Sequence, residues 1–348
     1  MRKKNRILNL QKEFRFSYTY TEFLYNNIVT MYNACLDNKI FTQDVKFRNK
    51  KHLKEFENDN GEFDIYNWLK ANNYDVELYL LINKQVIQAL IYDFITHISQ
   101  VLHNILEGNL SIAYILLRKP IKETLTLFES IIVDPFKFNL IFTTNNPKNY
   151  NPNRISKEIK LSNIEKVISL TNFKELYSLE MLYDLRFNKG FNASYDKLWN
   201  KAIHLITDYT HIETEKMNIN FVFSNKDDKY DQLAHIFSTL PPILFYSVEV
   251  IKILLNCISI QGDHSKADLK MLVGYYLWAS ETFLKKTTIK KISGIFNDGF
   301  KEICCINCKQ PFKYNKMFFK YYFYHDLFIC KNCKFIYMEE DLDFSILT

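Results

Sequence analysis

The most regular pattern of apolar positions in this chain lies between residues 76 and 106. Isoleucine, leucine, valine and phenylalanine recur there at intervals of three and four, the spacing of one face of an α-helix. The pattern stops just before Gly108, a residue type that commonly ends helices. It therefore predicts one long amphipathic helix over 76–106.

The same period predicts helices along most of the remaining body. The segment 109–136 reads as a helix with a kink at Leu116 to Pro120, because the proline ring removes a hydrogen bond and clashes with the preceding turn. Gly262 can end one helix, and Ser265 with Asp268 resembles the capping box that starts another. The helices predicted after the kinked one cover 163–186, 195–216, 241–260 and 266–286, with a surface loop over 139–163 and a short strand at Ile219, Phe221 and Phe223.

Composition agrees with a mainly α fold. Glycine and proline number only 7 each in 348 residues, which disfavours architectures that need many tight turns. We expect a helical bundle with a small C-terminal β zinc ribbon. The predicted divisions are an N-terminal basic and aromatic segment at 1–60, a helical domain at 61–295, the ribbon at 300–338 and an acidic tail at 339–348.

The chain reads as a cytoplasmic protein. Its first residues are basic but lack the apolar run and cleavage site of a secretory signal. The most apolar stretch, 243–260, carries Glu249 and Lys252 in its middle and would be a poor membrane span. No membrane partner is expected.

Cysteines concentrate near the C-terminus. Cys305 and Cys308 form one Cys-x2-Cys pair, and Cys330 and Cys333 form a second after 21 intervening residues, a spacing close to that of a zinc ribbon. Two such turns can close a tetrahedron of thiolates with Zn–S distances of about 2.3 Å. The aromatic run between the two pairs favours strands, so a small β-hairpin unit is expected.

Two other uses of these cysteines fit less well. Disulfides are rare inside cells, and a redox Cys-x2-Cys normally starts a helix in a βαβ setting that this sequence lacks. Cys304 is expected to be a neighbour of the site, and His325 a surface residue near the second pair. Structural Zn²⁺ is therefore the predicted cofactor, and chelation is expected to unfold the tail while the body survives.

The positive charge of the chain collects in the same tail. Of the charged residues in 285–334, 11 are basic and 3 acidic. Cations bind phosphates and flat rings stack on unpaired bases, so the tail is a candidate nucleic-acid or protein contact. The residues proposed for it are Lys313, Lys316, Lys320, Tyr321 and Tyr322. The alternative is that the aromatic residues dock the ribbon onto the body and the lysines only face solvent.

One polar stripe stands out in the body. His204, Asp208, His211 and Glu215 are spaced 4, 3 and 4 apart, so a helix would place them on one face. Such a face could bind Mg²⁺ or another divalent ion, or supply acid and base groups. It would lie opposite the apolar face of the helix, and a solvated face without function is the competing interpretation.

The chain resembles HEPN-like helical domains of bacterial defence and toxin systems. The resemblance rests on Arg118 in "SIAYILLRKPIKETLTLFE" and His204 in "LWNKAIHLIT", and covers about residues 80–215. Active members carry Arg-x4-6-His on one helix, and this chain has no such pair; Arg48 and His52 are one residue too close. The resemblance implies a helical bundle, a possible homodimer and a role against phage or stress.

Three functions follow as hypotheses. The first is a binding or regulatory protein whose basic ribbon contacts nucleic acid or a protein. The second is a metal-dependent or HEPN-like nuclease that uses His204, Asp208 and His211, with Arg118 holding phosphate. The third is a structural subunit whose ribbon docks a partner. The sequence lacks the P-loop, G-x-G-x-x-G, G-x-S-x-G and H-E-x-x-H motifs of common enzyme classes.

Overall fold

The computed structural model confirms a mainly α fold with a small β region near the C-terminus. It describes residues 7–57, 64–143, 146–208, 213–222, 224–258, 265–281, 286–300, 304–311 and 315–338. Within these ranges, 14 α-helices and one two-stranded sheet form, and 73% of the described residues are helical.

Residues 15–142 form seven helices. They are α1 (Arg15–Asp37), α2 (Lys50–Glu57), α3 (Ile65–Ala71), α4 (Asp75–Leu106), α5 (Leu110–Arg118), α6 (Leu125–Val133) and α7 (Pro135–Phe142). After them come α8 (Lys157–Leu170), α9 (Leu179–Phe187), α10 (Tyr195–Ile203), α11 (Lys226–Ile258), α12 (Ser265–Glu281), α13 (Lys286–Phe300) and α14 (Lys316–His325), followed by β1 (Leu327–Ile329) and β2 (Ile336–Met338).

The long helices α1, α4 and α11 form the centre of the body. Helix α11 packs against both α1 and α4, and its middle, from Ile236 to Leu255, is buried at nearly every position. Helix α4 follows the predicted bounds to within one residue. Helix α1 lies in the segment 1–60 that showed no clear period, because its buried face is built largely from aromatic and small polar residues.

The predicted kink is a π-helical turn over Lys119–Thr124, between α5 and α6. Pro120 occupies the second position of this turn and is buried. Because proline has no N–H to donate and its ring clashes with the preceding turn, the helix widens there instead of continuing as a regular α-helix. The chain thus passes from α5 to α6 without a loop.

Several predicted elements differ from the structure. The helix predicted over 163–186 is two helices, α8 and α9, and the loop predicted over 139–163 is shortened by α7 and α8. The strand predicted at 219–223 does not form over its described residues, which make turns. Asp268 is buried and accepts a hydrogen bond from Lys252 at 2.7 Å and one from Asn172, so it belongs to a polar cluster in the core. The Ser265 side chain of the predicted capping box lies outside the described part of the chain.

Residues 316–325 of the aromatic run between the two cysteine pairs form helix α14 instead of a strand, while the end of the run forms β1, which pairs with β2 in the expected small β unit. The rings of α14 form two stripes along the helix, and the residues within each stripe are spaced four apart. Phe318 and Tyr322 contact Phe328 of β1, with ring centroids 5.3 and 4.3 Å away. The second stripe, Phe319 and Phe323, faces the body. The amide of Phe318 is capped by the Asn315 side chain.

Helix α14 attaches the ribbon to the body through aromatic contacts. The Phe323 ring lies 5.2 Å from Phe23 and 5.5 Å from Phe16, both on α1. The Phe319 ring lies 4.4 Å from Phe296 on α13 and 5.2 Å from Tyr276 on α12. The ribbon therefore shares one hydrophobic core with the helical body.

Gly274 on α12 allows α1, α12 and α14 to approach closely. A Cβ at this position would lie 2.4 Å from Tyr20 Cε2 and 2.8 Å from Phe323 Cε2. Tyr20 is held in place because its hydroxyl donates to the carbonyl of Met271 at 2.9 Å. Gly274→Ala should therefore lower the free energy of unfolding by about 1–3 kcal/mol through overpacking, measured by urea denaturation.

Gly294 provides the matched control for this substitution. It also lies inside a helix, but a Cβ there would meet nothing within 4 Å. Gly294→Ala should raise stability by roughly 0.5–1 kcal/mol, the usual gain from alanine in a helix interior. Equal effects of the two substitutions would contradict the close packing described at Gly274.

One described helix, α11, is long and apolar enough to cross a membrane, but 78% of its apolar window is buried inside the fold. The core helix of a soluble protein meets the same criteria. The packing of α11 against α1 and α4 accounts for its apolar character.

Candidate metal centre and neighbouring cavity

The two cysteine pairs form knuckles of the same backbone design. In each, the amide of the first cysteine donates to the carbonyl five residues later, Cys305 to Gln310 at 2.8 Å and Cys330 to Phe335 at 2.9 Å. The residue after the second cysteine donates back to the first cysteine's carbonyl. That residue is Lys309 in the first knuckle, with a φ of 57°, and Lys334 in the second, with a φ of 63°. The sequence motif C-x-N-C-K occurs twice, and both copies form the same kind of tight turn.

The knuckles bring four thiols together. The Sγ atoms of Cys305, Cys308, Cys330 and Cys333 all lie within 4.8 Å of one another. Two of the separations are 3.5 and 3.7 Å, and a tetrahedron with Zn–S bonds of about 2.3 Å has edges of about 3.8 Å. The cluster can therefore hold a metal ion. Cys304 and His325 are exposed and outside it.

Hydrogen bonds favour the thiolate that a metal requires. Although burial raises the pKa of Cys305, the Cys308 amide and the Tyr337 hydroxyl donate to its sulfur and lower that pKa to about 6. The amide of Gln310 likewise favours a thiolate at Cys308, but burial and proton sharing with the other thiols outweigh it and raise the pKa of Cys308 to about 12. A bound cation would replace the shared protons.

Tyr337 is a supporting residue that sequence reasoning missed. It is 1% exposed on β2, its hydroxyl lies 2.8 Å from Cys305 Sγ, and the Asn307 amide donates to it at 3.2 Å. Such outer contacts orient metal ligands. The antiparallel pairing of β1 and β2 positions it, with Phe328 opposite Tyr337.

The residues predicted to contact nucleic acid lie mostly on the body side of the ribbon. Lys316 and Lys320 both pair with Glu281 on α12, at 3.3 and 2.9 Å. Tyr322 is fully buried, so its assignment to a contact surface is wrong. Tyr321 is 37% exposed, and Lys313 lies outside the described residues.

Other cations surround the metal centre. Lys309, Lys331 and Lys334 are exposed and make no ion pair with any described residue. The described knuckle and hairpin residues, 304–311 and 327–338, contain these three lysines and no aspartate or glutamate. Phe335, next to Lys334, is 47% exposed. We call these four residues the knuckle surface.

The polar stripe of the body does not exist as a helical face. Helix α10 ends at Ile203, so the spacing of 4, 3 and 4 no longer aligns the side chains. His204 is the residue after the helix, Asp208 is exposed beyond it, and His211 lies outside the described residues. The cysteine cluster is the one group of metal-binding geometry found among the described residues.

Arg118 and His204 nevertheless lie at one cavity. Both line a cavity of about 310 Å³ between the end of α5, the π-helical turn and α10. The cavity also contains Lys122, Lys189 and Trp199, none of which sequence reasoning selected. The sequence signal for this site is Pro120, a helix-breaking residue two positions after Arg118.

No protein-family model, curated protein or solved structure matches this chain. The resemblance to HEPN-like domains therefore stays a prediction.

Proposed function

We propose that this protein binds single-stranded nucleic acid through the knuckle surface of a zinc-bound ribbon. The observation that supports this is the concentration of unpaired cations at the knuckles, where three lysines face no carboxylate among the described residues. Lysine ammonium groups bind phosphates, and an exposed ring such as that of Phe335 can stack on an unpaired base.

The metal in this proposal is zinc. Four thiolates in a tetrahedral arrangement, supplied by two Cys-x2-Cys turns, are the usual ligand set of structural zinc. A Zn(Cys)4 centre carries two net negative charges, so the three lysines leave the knuckle surface weakly positive. Zinc would order the surface by fixing both knuckles, while α14 holds the ribbon on the body.

A gel-shift salt titration with a labelled single-stranded RNA tests the proposal. Replacing Lys309, Lys331 and Lys334 together with glutamine should remove three phosphate contacts. The slope of log affinity against log salt should then become shallower by about 2, since each contact on a single strand contributes about 0.7. Affinity at low salt should fall by at least about tenfold.

The control is a triple variant with the same change in net charge. Lys270, Lys316 and Lys320 pair with Asp326 or Glu281 and lie on the body side of the ribbon. Replacing these three with glutamine should leave the salt slope unchanged. If both triple variants change the slope equally, binding follows net charge alone and the knuckle surface is not the contact.

The nuclease hypothesis uses different residues and can be tested in the same gels. Adding Mg²⁺ and following RNA length would detect cleavage. Cleavage that is lost in His204→Ala, with the melting temperature unchanged, would make the cavity at Arg118 and His204 the reactive site.

A further inference from the structure

The cavity beside the π-helical turn carries more positive than negative charge. Arg118 contacts Glu123 at 3.3 Å, and Lys122 is bonded to Asp196. Lys189 also lines the cavity, is exposed and has no ion pair with a described residue. An anion entering the cavity would therefore meet an unshared cation at Lys189.

A neighbouring lysine, Lys160, responds to these positive charges. Burial lowers the pKa of Lys160 on α8, and the positive charges of Lys122 and Arg186 lower it further, against the opposing effect of Asp196. The positive charges of Lys122 and Arg186 thus act on Lys160 more strongly than the negative charge of Asp196 does.

A buried donor in the cavity wall lacks an acceptor. Trp199 is 1% exposed and lines the cavity, and its indole Nε1 makes no hydrogen bond within the described part of the chain. Its ring is fixed by Tyr195, whose ring stacks on it at 5.5 Å, and Lys122 Nζ lies 5.8 Å from its centroid. An unsatisfied buried N–H is unfavourable. The Nε1 atom is closed to solvent in the unbound protein, so a small shift of the cavity wall on binding would bring a ligand oxygen to this donor.

The backbone around the cavity is also unusual. Lys122 belongs to the π-helical turn, and such turns are often found at functional sites. The volume of about 310 Å³ lies at the lower end of the range for small-molecule sites. Cations, a free N–H donor and a cavity of this size together match a compact oxyanion.

We infer that this cavity binds the phosphate group of a phosphate monoester, with Arg118 and Lys189 supplying positive charge and the Trp199 indole N–H donating to a phosphate oxygen. The site is separate from the knuckle surface and does not depend on it. The monoester belongs either to a small metabolite or to the phosphorylated end of a nucleic acid strand.

Isothermal titration calorimetry at fixed ionic strength tests this inference with paired probes. Inorganic phosphate and AMP should bind, and adenosine at the same concentration should not. A 5′-phosphorylated RNA and its unphosphorylated twin form the second pair. If the 5′-phosphate raises RNA affinity above that of the unphosphorylated twin, the ligand is a strand end; if the two RNAs bind equally while AMP binds, the ligand is a small molecule. Either result supports the phosphate site, and the comparison between twins cancels binding at the knuckle surface.

Lys189→Gln is the decisive variant, because an exposed residue can be changed without disturbing the fold. It should weaken AMP binding about tenfold, the usual size of a charge-assisted hydrogen bond. Trp199→Phe should also weaken binding, since it keeps an aromatic ring and removes the N–H donor. Lys201→Gln is the control. Lys201 lies on α10, as Trp199 does, but does not line the cavity, so the affinity for AMP should be unchanged.

Three results would overturn the inference. They are the absence of phosphate binding at millimolar concentration, equal affinities for AMP and adenosine, and an unchanged affinity in Lys189→Gln. The RNA salt slope of the knuckle variants would be unaffected by any of them, so failure here is distinguishable from failure of the proposed function.

Discussion

Removing the metal from the ribbon should lower the melting temperature of the whole protein. Phe319 and Phe323 of the ribbon complete the core formed by α1, α12 and α13, so the ribbon cannot unfold without exposing that core. Structural zinc contributes on the order of 10–16 kcal/mol of apparent binding free energy in finger peptides. Even a loss of ~5 kcal/mol would lower the melting temperature by roughly 7 °C.

Circular dichroism melts with and without a chelator measure this effect. Cys330→Ser should reproduce it, because it removes one of the four ligands. Cys304→Ser is the matched control, since Cys304 is exposed and adjacent to the cluster without belonging to it. Two separate transitions, with the body transition unchanged by chelation, would support the sequence-based expectation of an independent tail and contradict a shared core.

Arg186→Met should destabilise the protein by about 3–5 kcal/mol, the usual cost of leaving one partner of a buried ion pair alone. Arg186 is fully buried, and its guanidinium contacts both carboxylate oxygens of Glu129, at 2.5 and 3.1 Å. It also donates to the carbonyl of Ile121 and to Thr126, which ties α9 to the π-helical turn and α6. Urea denaturation at pH 7 gives the change in unfolding free energy.

The pH dependence of Arg186→Met provides a second measurement. Burial raises the pKa of Glu129, and the positive charge of Arg186 opposes that rise. Without Arg186 the folded protein binds a proton at Glu129 more tightly than the unfolded chain does, so the loss of stability should be smallest at acid pH and grow as the pH rises. The double variant Glu129→Leu, Arg186→Met should be more stable than Arg186→Met at pH 7. A loss independent of pH would mean that the ion pair is not the cause.

Part of the ribbon could be predicted from the sequence. The spacing of Cys305, Cys308, Cys330 and Cys333 is a local pattern, and it identified the metal cluster. The aromatic run between them was assigned to strands because its residue types favour strands. The spacing of apolar residues is a stronger signal of secondary structure than residue type. Phe318 with Tyr322, and Phe319 with Phe323, are spaced four apart, and that spacing predicts the helix that forms.

In the body, some features could be predicted from the sequence and others could not. Helix α4 could be predicted because one side of it is apolar over 32 residues. The end of α10 could not, because the polar residues after Ile203 continue a helical spacing that the chain does not follow. No local sequence pattern marks Arg186 or Lys189 as important, since side chains that surround them in the fold are distant in sequence.

The central claim is that four cysteines hold one zinc ion and thereby order the knuckle surface. Native mass spectrometry combined with elemental analysis of the purified protein tests it most directly. We predict one zinc per chain in the native protein and in Cys304→Ser, and loss of that zinc in Cys330→Ser. A native protein without stoichiometric zinc, or full zinc occupancy in Cys330→Ser, would contradict the claim.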